Sequence, residues 1–120
     1  MMKKTLVLIA SSNANRYSYR AVKMLLEKEV PVVAIGQRPG NIDHIEFLTG
    51  QPYVEGIDTL TLYLNPFNQK SFYSYILKIN PNRVIFNPGT ENPVLQNLLD
   101  ENNIAWEEAC TLVLLATNHF

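Results

Sequence analysis

The chain has little of what would mark a secreted, membrane or nucleic-acid-binding protein. Its 120 residues include one cysteine, which excludes an internal disulfide framework and fits a reducing compartment. No apolar run approaches the roughly 20 residues that a membrane span requires. The formal net charge is -1, whereas non-specific nucleic-acid affinity depends on many Lys and Arg contacts. We therefore expect a cytoplasmic protein that binds neither membranes nor nucleic acid.

The sequence also lacks a recognisable catalytic or metal-binding pattern. His44, Cys110 and His119 show no metal-ligand spacing of a known kind. We interpret Cys110 as a packing position, because its neighbours are mostly apolar, although a thiol at a helix start could also be reactive. We expect no metal and no catalytic residue, and thus a binding module in preference to an enzyme.

What the sequence does have is an alternation of strand-like and helix-like segments. A β-favouring run spans Thr5–Ala10, a helical stripe begins at Ser18, and a second strand follows at 31–35. This order predicts an α/β protein with a three-layer Rossmann-like fold, a mostly parallel five-stranded sheet with helices on both faces, in a single domain over residues 1–120. Further strands are predicted at 59–64, 83–86 and 104–107, a short one near Tyr53-Val54 in the irregular region 36–57, and helices at 71–79, 94–101 and 110–117.

The turns that follow the strands are the positions to examine, because ligands of such sheets bind outside the carboxyl ends of the strands. The first turn carries Ser11, Ser12, Asn13 and Arg16 immediately before a helix, a combination that favours an anion. It has no glycine and no G-x-G-x-x-G spacing. Capping of the helix by Asn15 or Ser18, with a solvated arginine, is the structural alternative.

The second turn disfavours NAD. Folds that bind NAD generally place an acidic residue after strand two to hold the ribose hydroxyls. Here the sequence is Ile35-Gly36-Gln37-Arg38, with an arginine that suits a ribose bearing a phosphate, as in NADP or coenzyme A (CoA). A surface arginine in a Gly/Pro turn is the alternative. The third and fourth turns, 65–68 and 87–92, are rich in Asn, Pro and Gly, which turn geometry alone could explain.

Four segments together resemble the small stand-alone CoA-binding domain family, which is similar to the CoA-binding domain of succinate–CoA ligase alpha subunits. They are "ASSNANRYSYRAVKMLLEKEVPVVAIG", "LYLNP", "VIFNPGTENP" and "ACTLVLL", in the order of the family. The resemblance implies CoA or an acyl-CoA as the ligand, with its pyrophosphate at the first turn and its adenosine at the second. The residues that it implies for binding are Ala10, Ser11, Ser12, Asn13, Arg16, Tyr17, Ser18, Ile35, Gly36, Gln37, Arg38, Asn65, Pro66, Asn87, Pro88 and Gly89.

The sequence departs from this family at one position. The family usually has Asn-Pro at the end of strand two, where this chain has Gly36-Gln37, so the contacts with adenine are in question. Two alternatives stay open: an NADP-dependent enzyme, and a degenerate Rossmann-like domain that binds another protein. Tyr73 lies off the apolar stripe of its predicted helix, which suggests an exposed or interface position in a homodimer or with a partner enzyme.

Overall fold

The computed structural model describes residues 3–120 and contains one parallel sheet of five strands, with a separate two-stranded hairpin. Met1 and Met2, which the predicted domain includes, lie outside the described residues. The sheet order is β2-β1-β5-β6-β7, and every neighbouring pair is parallel. The strands are β1 (Thr5–Ala10), β2 (Val32–Gly36), β3 (Asn41–Ile42), β4 (Ile45–Glu46), β5 (Thr59–Leu62), β6 (Arg83–Phe86) and β7 (Ala105–Glu108), with β3 and β4 forming the hairpin.

Helices cover both faces of the sheet. They are α1 (Tyr17–Glu27), α2 (Pro66–Gln69), α3 (Tyr73–Ile79), α4 (Pro93–Glu101) and α5 (Thr111–Ala116), with a 3-10 turn at Lys70–Phe72 between α2 and α3. One apolar core joins Leu6 and Leu8 of β1 to α3 and α4. A second core joins Val7 to α1 and α5. Successive β1 side chains thus enter opposite cores, as the continuous apolar run predicts. The predicted fold class is confirmed.

Two parts of the chain differ from the prediction. In the irregular region the strand pair forms at Asn41–Ile42 and Ile45–Glu46, and not at Tyr53-Val54. A sequence of two-residue strands joined by a tight turn carries almost no periodic signal, which explains the error.

The second difference is α2, which follows β5 directly and shortens that strand to Leu62. Asn65 caps α2, because its Oδ1 accepts from the N–H of Asn68 at 2.9 Å, and Pro66 occupies the first turn of the helix. Asn92 and Pro93 begin α4 in the same way, as predicted. The Asn-Pro signal that identifies α4 was therefore also present at Asn65-Pro66.

The segment after β2 folds back along the outer edge of that strand. The N–H of Gly36 donates to Leu48 O and the N–H of Leu48 donates to Ala34 O, both at 2.9 Å. Phe47 packs on Gly36 so closely that a Cβ there would lie 2.7 Å from Phe47 Cδ2. A side chain at position 36 is thus excluded by packing. Among residues 3–120, no helix has the length and apolar character needed to cross a membrane.

Candidate functional site at the carboxyl edge of the sheet

The strand order reverses between β1 and β5, and a groove opens at that point. The chain runs from β1 outward to β2 and then returns to the other side of β1 with β5. In open parallel sheets ligands bind outside the carboxyl ends of the strands at such a reversal. The groove has a volume of about 340 Å³, at the low end for small-molecule sites. It is lined by Ile9, Gly36, Gln37, Gly50, Gln51, Leu64, Asn68, Ser71 and Phe72.

Both apolar and amide groups line the groove. Ile9, Leu64 and Phe72 supply apolar surface, and all three belong to or pack on the core that contains α3 and α4. Gln51 is tied across the groove, since its Nε2 donates to Ser71 O at 2.7 Å. A groove that combines apolar surface with a few fixed polar groups can hold a small-molecule ligand.

The first turn, residues 11–16, is closed by its own hydrogen bonds. The N–H of Asn13 donates to Ser11 Oγ at 3.1 Å, and the N–H of Asn15 donates to Asn13 Oδ1 at 3.0 Å. The N–H of Arg16 donates to Asn13 O at 3.0 Å. These bonds fix the turn locally and leave its outer surface exposed, with Ser12 and Arg16 among the exposed side chains.

The N-terminus of α1 has no side-chain cap. Arg16 is its N-cap residue, and no described side chain accepts a hydrogen bond there. The first N–H groups of a helix have no partner within the helix, and the helix dipole places partial positive charge on them. Asn15 is exposed and Ser18 is buried, but neither caps α1, so the structural alternative for this turn is wrong. The first N–H groups of α1, immediately after the first turn, are therefore free donors at the edge where β1 ends.

The first and second turns each carry one arginine. Arg16 and Arg38 are both exposed, and neither forms an ion pair with any residue of the described chain. Within residues 3–120 the ion pairs are Lys23–Asp43 at 3.0 Å and Arg83–Glu107 at 3.4 Å. Arg16 and Arg38 are thus available to an anion from solution.

The first and second turns lie against each other. A Cβ on Gly40 would lie 3.8 Å from the Cβ of Ser12, and the same position touches the Phe47 ring at 3.3 Å. Gln37 and Arg38 are exposed in the second turn, while Ile35 and Ala10 are buried and can reach a ligand only through their backbone. Neighbouring turns with free donors and arginines suit a ligand that carries more than one phosphate.

Exposed aromatic side chains flank the edge on both sides of the groove. Tyr17, at the start of α1, is 66% exposed and its ring lies 5.6 Å from the guanidinium carbon of Arg20. Phe67, in α2, is 76% exposed and its ring lies 5.5 Å from Lys70 Nζ. Each pair is a cation–π contact that keeps a positive group near the rim.

The fourth turn is held from within by a buried amide, and the third by an exposed one. Asn87 is 3% exposed, and its Nδ2 donates to Thr61 Oγ1 at 2.7 Å and to Leu62 O at 2.8 Å. Its Oδ1 accepts from the N–H of Thr111 at 2.9 Å. The Asn87 side chain thus links β5, β6 and α5, and has no free donor for a ligand. The exposed Asn65 uses only its Oδ1, as the cap of α2, so its Nδ2 is still available to a ligand.

In the rest of the fourth turn Pro88, Gly89 and Glu91 are exposed, whereas Thr90 and Asn92 are buried. Gly89 has φ +91°, a conformation that favours glycine, and its N–H donates to Glu91 Oε1 at 2.9 Å. Glu91 thus closes the turn as well as preceding α4. Pro88 and Gly89 are exposed, so they are accessible to a ligand that extends along the edge.

Tyr63 carries the one buried hydroxyl without a hydrogen-bond partner among the described residues. Burial raises the pKa of Tyr63 to about 12, and the nearby Thr61 and Thr111 hydroxyls offset this only in part. Those two hydroxyls are bonded to each other at 2.8 Å, which accounts for their weak effect. Cys110 is half-buried at the start of α5, beside Tyr63. His44 and His119 are both exposed.

The structure brings the first and second turns to one place and puts the third and fourth beside them. Of the groove residues, Gly36 and Gln37 were among the predicted binding residues and Asn68 ends the predicted third turn, while the remaining ones were not predicted: Ile9, Gly50, Gln51, Leu64, Ser71 and Phe72. An Asn-Pro helix start at 65–66 would have indicated Asn68. Tyr73, predicted to be exposed or at an interface, is half-buried and accepts a hydrogen bond from Asn92 Nδ2 at 2.8 Å.

A second depression, of about 390 Å³, lies against the β3–β4 hairpin. Asp43, His44 and Glu46 line it, and Asp43 is already paired with Lys23. Carboxylates repel phosphate, so the switch-point groove is the better site for an anionic ligand.

Comparison with known proteins identifies the family of this architecture. A family model described as "CoA binding domain" matches residues 3–116. A solved structure described as an uncharacterized protein is 45% identical, with a TM-score of 0.96, over 100% of this chain and 99% of that one. No curated protein matches the sequence significantly.

More distant solved structures share the fold alone. A protein from Thermus thermophilus has a TM-score of 0.87 at 19% identity, over 99% of this chain and 91% of its own. A conserved hypothetical protein from Pyrococcus furiosus has a TM-score of 0.80 at 19% identity, over 94% of this chain and 98% of its own.

Proposed function

The chain belongs to the CoA-binding domain family, and from this premise we propose that it binds coenzyme A or an acyl-CoA at the carboxyl edge of the sheet. The observation that carries the proposal is the uncapped N-terminus of α1 at the switch point. Free N–H groups and the helix dipole bind a pyrophosphate there, and Arg16 adds charge-assisted hydrogen bonds. The protein acts as a single cytoplasmic binding module.

The adenosine part of the ligand occupies the switch-point groove. Gly36 and Gln37 at the end of β2 line this groove, and Arg38 follows immediately, within reach of a phosphate on the ribose. The Asn-Pro that the family usually carries is replaced by Gly36-Gln37, so Gln37 and Gln51 supply the amide contacts to the base. The pantetheine arm then runs past Asn65-Pro66 towards Asn87-Pro88-Gly89.

Isothermal titration calorimetry with CoA, dephospho-CoA and NADP tests this proposal. CoA should bind, and loss of the 3'-phosphate should weaken binding by about tenfold, the value of one charge-assisted hydrogen bond. An Arg38→Ala variant should abolish that difference. Preference for NADP would favour the nucleotide-dependent enzyme, and no binding of any of the three would favour the protein-interaction domain.

Mass spectrometry of the purified protein gives an independent observation, because a tightly held CoA co-purifies. An Arg16→Ala variant should lose affinity for CoA, and Lys28→Ala, which removes a charge at the other end of α1, serves as its matched control. Equal affinity of Arg16→Ala and the wild type would remove Arg16 from the site.

A further inference from the structure

One wall of the groove consists of helical elements that are too short to be stable in isolation. Leu64, Asn68 and Phe72 line the groove: Leu64 lies just before α2, Asn68 in α2 and Phe72 in the 3-10 turn. α2 has four residues and the 3-10 turn has three. Helices of this length are unstable on their own, because nucleation costs more than one turn of hydrogen bonds returns. The position of this wall must therefore be fixed by tertiary contacts.

Gln69 supplies such contacts. It is the last residue of α2, and it is fully buried. Its Nε2 donates to Leu64 O and to Thr90 O, each at 2.8 Å. One side-chain amide thus ties the groove residue before α2 to the fourth turn, after β6. Gln69 itself does not line the groove.

The remaining acceptor of Gln69 is also occupied. Its Oε1 accepts from Asn92 Nδ2 at 2.9 Å, and the same Nδ2 donates to Tyr73 Oη at 2.8 Å. Asn92 Oδ1 meanwhile accepts from the N–H groups of Val94 and Leu95 at the start of α4. A fully satisfied buried network of this kind fixes one arrangement, since any shift leaves a buried polar group without a partner.

We infer that Gln69 is a positioning residue for ligand binding: its buried amide holds the wall formed by Leu64, Asn68 and Phe72 at the spacing that the ligand requires. The inference rests on the proposed function, because it concerns the affinity of that same groove. It predicts that a residue with no access to the ligand controls affinity for the adenosine part.

Gln69→Leu and Gln96→Leu form a matched pair of variants. Gln96 is also a buried glutamine, at 7% exposure, and its Nε2 donates to Glu108 Oε2 at 2.9 Å. It lies in α4 and does not line the groove. Both substitutions remove a buried amide of similar size, so both lower stability, and only the first releases the groove wall.

Calorimetry with CoA and with adenosine 3',5'-bisphosphate, at a temperature where circular dichroism shows every variant folded, separates the two roles. Gln69→Leu should weaken both ligands by about tenfold, within the range for residues that act on a ligand without touching it. Gln96→Leu should bind both as the wild type does. If the wild type binds CoA and Gln69→Leu binds it equally well, this inference is overturned and the proposed function stands.

A second variant decides the matter should Gln69→Leu fail to fold. Asn92→Ser keeps a capping side chain for α4 but removes the donor to Gln69 Oε1. It should weaken CoA by a smaller factor, and unchanged affinity would overturn the inference. Failure of the wild type to bind CoA or the bisphosphate would instead overturn both the proposed function and this inference.

Discussion

The two halves of the carboxyl edge are built in opposite ways. The turns after β1 and β2 have exposed polar and basic side chains, and the helix that begins there has no side-chain cap. In the other, internally bonded half, after β5 and β6, the side-chain amides of Gln69, Asn87 and Asn92 are buried and hydrogen-bonded within the protein, and the exposed Asn65 caps α2. The first half, the open half, leaves the first N–H groups of α1 and the side chains of Arg16 and Arg38 for a ligand. The internally bonded half uses its side-chain amides to fix the shape of the site.

The largest expected effect on CoA affinity comes from capping the N-terminus of α1 in the open half. Arg16→Asp places a carboxylate at the N-cap of α1, where it accepts from the free N–H groups and repels phosphate. We expect CoA affinity to fall by about a hundredfold or more, while the free energy of unfolding rises by about 1 kcal/mol.

Calorimetry and urea unfolding measure the two changes. Lys28→Asp makes the same change of charge at the opposite end of α1 and should leave CoA affinity near that of the wild type. A stabilised Arg16→Asp variant that still binds CoA would show that the open N-terminus is not the phosphate site.

The next effect concerns the internally bonded half. Asn92→Ala removes the cap of α4 and leaves Gln69 and Tyr73 without their shared donor. Urea unfolding should show a loss of about 2–3 kcal/mol. Asn15→Ala, in the open half, removes an exposed side chain and should change stability by no more than about 0.5 kcal/mol. Equal losses from the two substitutions would remove the contrast between the halves.

Packing against Phe47 helps to position the second turn of the open half. Gly36→Ala puts a Cβ 2.7 Å from Phe47 Cδ2 and 3.0 Å from Arg38 O. We expect a loss of about 1–3 kcal/mol in unfolding free energy, together with weaker CoA binding because the second turn must move. Thermal unfolding with and without CoA measures both, and an unchanged melting temperature would contradict the packing argument.

The smallest effect tests the one exception in the internally bonded half. Tyr63→Phe removes a buried hydroxyl that has no partner and should raise stability by about 1 kcal/mol at neutral pH. Tyr75→Phe is the matched control and should lower stability, because Tyr75 Oη donates to Pro52 O at 2.7 Å and the substitution removes that hydrogen bond.

The pH dependence of Tyr63 follows from the same burial. Its pKa is raised from 10.0 to about 12 in the folded protein, so its contribution to stability is complete below pH 10 and is lost as the pH rises towards 12. Unfolding experiments across that window should show a steeper loss for the wild type than for Tyr63→Phe. Parallel curves would mean that Tyr63 is not buried as described.

Sequence patterns predicted most of the fold but only part of the site. The apolar run of β1 and the Asn-Pro start of α4 are local signals, and both elements formed where expected. The role of Gln69 depends on Leu64, Thr90 and Asn92, which only the folded chain brings together. A glutamine among polar neighbours has no pattern that indicates burial. Asn87 shows the same limit, because its side chain is occupied by the protein itself.

The chain segment that ends at Leu48 has a consequence for self-association. An outer strand with free N–H and C=O groups can pair with a second molecule and start aggregation. At the carboxyl end of β2, the N–H of Gly36 and the C=O of Ala34 are hydrogen-bonded to Leu48. On β7, the other outer strand, Glu107 and Glu108 place negative charge. Changes in the second turn that alter ligand preference must therefore keep the chain in place against β2. If Leu48 no longer bonded to β2, the outer N–H and C=O groups of that strand would be exposed and the solubility of the protein would fall.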